Sequence, residues 1–230
     1  MAGLIDKAVT RVMDIAGKPN TAQNKAIAKA EVYGAIDRLN AEFLYGILTT
    51  SETVTITGGS TGHTVALPVD FASMHTYGFG EYDSATARVK VPWTFRSESY
   101  FHNRYRGLSS LSTGDAGSAR IWFFVDDDPA GRAQVRVYPS PASSTTAQAN
   151  YYAKLTLSNI DRLDNETILV DGTLARLPKW LDDTEIAVRR AEFKSAIAAL
   201  KAQRRSSTSG AIPVSHPWIR RANAVGWGLK

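Results

Sequence analysis

The sequence contains no cysteine, which excludes disulfides, thiolate nucleophiles and sulfur-ligated metal sites together and leaves the redox compartment open. It also lacks any charge-free apolar run long enough to span a bilayer. The first sixteen residues interleave Asp6, Lys7, Arg11 and Asp14 with apolar positions, unlike the unbroken apolar core of a secretory leader. A soluble protein synthesised in the cytoplasm, with no membrane partner, is therefore expected. Acids are absent from the end of the chain. After Glu192 there is no Asp or Glu, while Lys194, Lys201, Arg204, Arg205, Arg220, Arg221 and Lys230 remain, and these exceed the whole net charge of +5. The bulk composition is ordinary, with 43% hydrophobic and 21% charged residues, as in globular rather than disordered or membrane chains. A length of 230 residues lies near the point where one domain gives way to two.

Motifs for chemistry are missing as well. His63, His75, His102 and His216 are scattered, and no two stand three or four residues apart as a helical metal pair would. No serine occupies a nucleophile elbow, and Ser215 beside His216 is adjacency alone. Gly58, Gly59 and Gly62 lack the lysine and Ser/Thr pair that completes a phosphate loop. Asp126, Asp127 and Asp128 lack the spaced oxygen donors and distant glutamate of a calcium loop, and read as a solvated hairpin turn. Asn165-Glu166-Thr167 matches a glycosylation acceptor but follows no secretory signal. The reading is of no enzyme: no catalytic residue, no cofactor and no metal. Buried carboxylates converging in a cleft would be needed to revive catalysis.

What is present is a change of period. Leu4, Ile5, Ala8, Val9, Val12 and Ala16 recur at helical spacing until Gly17 and Pro19. Asn20 or Thr21 caps a second helix, whose stripe is Val32, Ile36, Leu39, Phe43 and Ile47. From Thr49 the period falls to two. Strands are expected at Ser51–Thr57, Thr64–Leu67, Met74–Phe79, Ala87–Val91, Ala119–Val125, Ala133–Tyr138 and Tyr151–Leu155, separated by Gly and Pro turns. Ala119–Val125 and Ala133–Tyr138 form a hairpin across the Asp126–Gly131 turn, and Trp122 and Phe124 face the core. Helix then returns at Glu166–Leu177, despite Gly172, and at Leu181–Arg204. Asp182 or Asp183 caps the latter, and Ile186, Phe193, Ile197 and Leu200 form its buried stripe.

These elements define an α+β chain with a helical bundle body (residues 1–49 and 156–205), an inserted antiparallel β-sandwich or barrel (50–155) and an extended C-terminal arm (206–230). There is no room for crossover helices between the strands. Two stretches carry interaction chemistry. Trp93 to Arg106 interleaves Trp93, Phe95, Tyr100, Phe101 and Tyr105 with Arg96, Arg104 and Arg106. This composition favours a wet protein interface over local packing or sequence-independent nucleic-acid stacking. The arm places Ile212, Val214, Trp218, Ile219, Val225, Trp227 and Leu229 among Pro213, Pro217, Gly226 and Gly228. Two tryptophans there point to a segment lying on a neighbouring subunit or partner, the alternative being that it folds back on its own body.

The paired N-terminal helices, Leu67-Pro68-Val69-Asp70-Phe71, the aromatic β-region, Val137-Tyr138-Pro139-Ser140-Pro141, Tyr151-Tyr152 and the Asp182–Lys201 helix are individually common. In this order over residues 20 to 203 they resemble the head-to-tail adaptor, or connector, proteins of tailed bacteriophages, related to tail tubular protein A of short-tailed phages. The sequence departs from that pattern after Ser206 and in the long aromatic loop. The resemblance implies a structural virion protein at the head-tail junction, or neck. It implies a homo-oligomeric, dodecameric ring beneath the portal protein that joins capsid to tail and gives a channel for genome passage. Partners would be the portal, tail nozzle or tail fibre proteins and, transiently and without sequence preference, genomic DNA. On this reading Trp218, Ile219, Arg220, Arg221 and Trp227 contact the portal or a neighbouring subunit. Trp93, Arg96, Tyr100, Arg104 and Tyr105 contact a neighbour or tail proteins. The alternative is a tail-associated carbohydrate- or receptor-binding protein in which Trp93, Tyr100 and Tyr105 stack on sugar.

Overall fold

In the computed structural model the chain opens with helix α1, Leu4–Ile15, which buries Ala8, Val9, Val12 and Met13. Residues 3–44, 46–57, 64–100, 120–138, 141, 143–163, 165–207 and 212–213 are described. They fall into two units, one drawn from Met1–Leu48 with Lys154–Ser209, the other from Thr49–Ala153 with Gly210–Lys230.

In the helical unit, the Asp161 carboxylate accepts a hydrogen bond from the Leu4 amide at 2.6 Å, satisfying a donor at the α1 start. Gly17, at φ +59°, ends that helix in the left-handed region open to glycine. Helix α2, Ala22–Glu42, is capped by Thr21, whose hydroxyl accepts from the Asn24 amide at 3.2 Å. The apolar stripe predicts helix on to Ile47, but Phe43 leaves helical geometry (φ −116°, ψ 69°). Phe43 and Ile47 are still buried, from an irregular segment. Helix α3, Glu166–Leu174, buries every residue from Ile168 to Leu174, which explains its weak amphipathic signal. Helix α4, Asp183–Ser207, is capped by Asp182, which accepts from the Glu185 amide at 2.8 Å, and buries Ile186, Phe193 and Ile197. Where the chain re-enters this unit, Asn40 of α2 clamps it. The amide nitrogen donates to the Leu155 carbonyl at 2.9 Å, and the amide oxygen accepts from the Leu155 N–H at 2.8 Å.

The β-unit contains two sheets. Strands β1 (Leu48–Ile56), β8 (Thr145–Ala153), β3 (Phe71–Asp83) and β4 (Arg88–Pro92) lie side by side in that order, with β9 (Ile212–Pro213) also on β3. The second sheet has the order β2 (Thr64–Ala66), β7 (Gln134–Tyr138), β6 (Ile121–Val125) and β5 (Thr94–Phe95). The β3–β8, β3–β4, β2–β7 and β6–β7 ladders are antiparallel, while β5 runs parallel to β6. The sheets meet through aromatic rings. Phe79 of β3 contacts Trp122 of β6 at 5.4 Å, and Phe71 contacts Phe124 at 5.9 Å. Fully burying one such side chain stabilises by about 1.5–3 kcal/mol, so this cluster contributes several kcal/mol toward holding the two sheets together.

The α+β class, a helical body interrupted by an inserted β-region, is as the sequence leads one to expect. Several boundaries differ. β3 runs through Gly78 and Gly80 to Asp83, and β8 begins at Thr145 rather than Tyr151. Between Met74 and Phe79 the β3–β8 register shifts, and this bulge presents Tyr77 at φ 57° and 72% exposed. Of the arm, Ile212 and Pro213 pair with Met74 and Ser73 of β3 in the same chain. The Gly58–Gly62 turn, the Gly107–Gly117 loop, Pro139, Ser140 and residues 214–230 lie outside the described residues.

Candidate interaction surfaces

The aromatic and basic stretch divides into core and surface. Trp93 is 2% exposed, so the structure places it in the core of the β-unit rather than at an exposed interface. Its ring meets Phe79 edge-on at 5.2 Å, its backbone N–H donates to the Phe79 carbonyl at 2.9 Å, and its own carbonyl accepts from the Trp122 indole at 3.2 Å. The Arg120 guanidinium lies over the ring at 5.3 Å. Both backbone polar groups of Trp93 are thus used within the fold, and a ring only 2% exposed offers a sugar no face to stack on. The reason is alternation: the short β5 that follows Trp93 pairs with β6 and draws the ring under the sheet.

Arg96 and Tyr100 remain at the surface, and the structure brings them together. The Arg96 guanidinium lies over the Tyr100 ring at 5.2 Å, and the Tyr100 amide donates to the Ser97 hydroxyl at 3.2 Å. Tyr100 is 44% exposed. A planar cation stacked on a half-exposed ring is the composition found at protein interfaces, and it is preorganised here by the local turn. Arg104 and Tyr105 lie outside the described residues, as do Trp218, Ile219, Arg220, Arg221 and Trp227.

The tip of the β6–β7 hairpin is the second surface. The Asp128 carboxylate accepts from the Ala130 and Arg132 amides at 2.9 and 2.8 Å and from the Arg132 guanidinium at 2.7 Å. Those donors hold its pKa below the usual carboxylate value, the Arg132 amide first among them. Asp126 and Asp127 take no part in this knot. Neither side chain has a hydrogen-bond or ion-pair partner among the described residues.

A third surface, in the helical unit, escaped the sequence reading. A cleft of about 480 Å³ opens between α2, the end of α3 and α4, with Gly172, Ala175 and Phe193 among its lining. Arg38, Arg176, Arg190 and Lys194 line it against one carboxylate, Glu31. Arg176 donates to Glu31 at 2.7 Å, and the Arg38 guanidinium lies over the Phe193 ring at 5.8 Å. Arg190 and Lys194 have no carboxylate within ion-pair distance among the described residues. Nearby, Lys201 donates to Glu42 at 2.6 Å, a bond that lowers the pKa of Glu42. The available signal was the 190, 194, 201 spacing on one helix face; Arg38 and Arg176 join it only through tertiary packing.

Among the described residues, no group of three or more His, Asp or Glu is placed to hold a metal ion, and no helix is long and apolar enough to cross a membrane. Asp171, among the described residues, is a carboxylate whose pKa is raised, through desolvation and repulsion from Glu192, and it pairs with Arg189 at 3.1 Å. This is a helix-to-helix contact between α3 and α4. A model of the SU10 adaptor protein family matches residues 1–214 of the chain. No curated protein matches it.

Proposed function

Because the chain belongs to the SU10 adaptor protein family, we propose that it is a head-to-tail adaptor of a tailed bacteriophage, a ring-forming structural protein of the neck that joins portal to tail. The observation that carries this reading is the extent of the match, which takes in both the helical body and the β-insertion. The relationship to tail tubular protein A is a resemblance in element order; the matched family is named for an adaptor.

In this role the subunits form a closed ring, dodecameric by the resemblance, since a repeated heterologous interface is satisfied without free ends only when it closes. The domain division at residues 1–49, 50–155, 156–205 and 206–230 gives each part a task. The helical body builds the ring around the genome channel and makes its transient DNA contacts. The Arg96–Tyr100 surface, with Arg104 and Tyr105, meets a neighbour or the nozzle and fibre proteins. The arm, through Trp218, Ile219, Arg220, Arg221 and Trp227, attaches to the portal or a neighbour, exchanging ordering entropy for buried contact. Trp93 serves this surface from beneath, as packing under the segment that carries Arg96.

The test is the mass of the full chain, alone and mixed with its portal, by light scattering. A version ending after Pro213 is the informative truncation, since it keeps all of α4 and the β9 pairing with β3. Co-assembly into a large complex that weakens on truncation is expected. A full chain that stays monomeric and ignores the portal would overturn the reading.

A further inference from the structure

The cationic cleft and the acidic hairpin tip are complementary surfaces on one chain, each lacking its counterpart. The cleft offers four cations against one carboxylate, and the tip offers two carboxylates with no partner among the described residues. We propose that the Asp126–Asp127 tip of one copy docks into the Arg38, Arg176, Arg190 and Lys194 cleft of the next copy. This rests on the ring-forming adaptor reading, which requires a heterologous interface between two different patches of the same protein.

The chemistry selects this occupant over others. Phe193, Gly172 and Ala175 floor the cleft and are themselves buried, so what the cleft presents is its four cations, set around a concavity that a ligand must be narrow enough to enter. A duplex presents phosphates on a broad convex surface and would touch the cationic rim alone. A hairpin turn is narrow, and exposed Pro129 beside the aspartates gives it an apolar element. The C-terminal arm of a neighbour is disfavoured, because it carries Arg220, Arg221 and Lys230 and no acid. The tip is also preorganised. Asp128 ties the turn to Ala130 and Arg132, so little ordering entropy remains to be lost when Asp126 and Asp127 meet the arginines. Arg176 is already oriented by Glu31 and Arg38 by Phe193, which prepares the receiving side in the same way.

A reciprocal charge exchange tests this on the full-length protein, read as self-association by sedimentation velocity at low and high salt. Arg190→Glu with Lys194→Glu, and separately Asp126→Lys with Asp127→Lys, should each weaken association about tenfold or more. Combining all four substitutions should restore it. Asp126, Arg190 and Lys194 are exposed and Asp127 is half-buried, and thermal melts of each variant check that the fold persists. Wild-type association should also weaken with salt, since these half-exposed charges are screened. Unchanged association in the cleft variant, or no recovery in the combination, would overturn the docking. So would a variant that loses duplex binding by fluorescence anisotropy while associating normally, which would assign the cleft to DNA. A wild-type chain that co-assembles with the portal yet never self-associates overturns the docking and spares the adaptor reading; one that does neither overturns both.

Discussion

Replacing Gly172 by Ala tests whether the packing of α2, α3 and α4 is as tight as the structure shows. Two effects oppose each other. In a helix interior the change gains about 1 kcal/mol of intrinsic propensity. Against it, the added Cβ would lie 2.7 Å from Phe193 Cε2 and 3.1 Å from both Phe193 Cδ2 and Ala35 Cβ. Ordinary carbon contacts fall near 3.5–4.0 Å, so the ring must retreat by about 1 Å. It has little freedom to do so: Phe193 is 3% exposed and lies beneath the Arg38 guanidinium. Ala35, fully buried on α2, blocks relief on the other side. Overpacking of this kind costs typically about 1–3 kcal/mol, more than the propensity gain once both neighbours are crowded. With both neighbours crowded the cost falls in the upper part of that range, about 2–3 kcal/mol, and less the propensity gain it leaves an expected net loss of about 1–2 kcal/mol. The assay is urea denaturation followed by helical circular dichroism. Adding Phe193→Leu should make the Gly172→Ala change much less costly, because the two sites share one space. A Gly172→Ala protein as stable as the parent, or more so, would refute the reasoning.

Three further changes probe other links. Gly80→Ala places a Cβ against the Val91 carbonyl and 2.8 Å from Pro92 Cα, backbone that cannot yield, so β3–β4 should lose about 3 kcal/mol, measured by thermal unfolding of the β-unit signal. Tyr151→Phe removes the phenol that donates to Asp70 at 2.9 Å from a ring packed on Phe71, and should cost about 1–2 kcal/mol in denaturant titration. Asp171→Asn tests the sign of a buried acid. The folded-state pKa of Asp171 is raised, so this group favours folding most when protonated, below its unfolded value of about 4, and that contribution is lost as pH rises through the folded value. The stability of the Asn variant relative to the parent should therefore increase with pH across that window; a flat or falling difference in pH-dependent urea midpoints would contradict it.

Much of the chain was legible because the signals were local. Helical spacing marked α1, and spacing with a capping side chain marked α2 and α4; Thr21 and Asp182 are caps because a short side-chain oxygen reaches the free amides of the first turn wherever the helix sits. The β6–β7 hairpin was equally plain from Trp122 and Phe124 on one side of an aspartate turn and Val135 and Val137 on the other. The misreadings arose where a partner sets the meaning of a residue. The strand expected at Met74–Phe79 stops short of Gly80, yet β3 runs through Gly78 and Gly80 to Asp83, where the Asn150 and Val91 carbonyls leave no space for a Cβ. The strand expected from Tyr151 begins at Thr145 instead, and the small or polar Ala147, Gln148 and Ala149 are buried strand residues because β3 runs alongside them.

By itself the sequence determined the class of the protein: a helical body, a β-insertion, no sulfur chemistry and a C-terminal excess of cations, all properties of composition and period. Only the tertiary structure decided which aromatics face outward, burying Trp93 while leaving Arg96 stacked on exposed Tyr100. It alone gathered Arg38, Arg176, Arg190 and Lys194 from three segments into one cleft. Period and propensity act over one or two turns of chain, whereas burial and electrostatic field at a surface are sums over neighbours distant in sequence, and those neighbours are fixed only when the helices and sheets have packed.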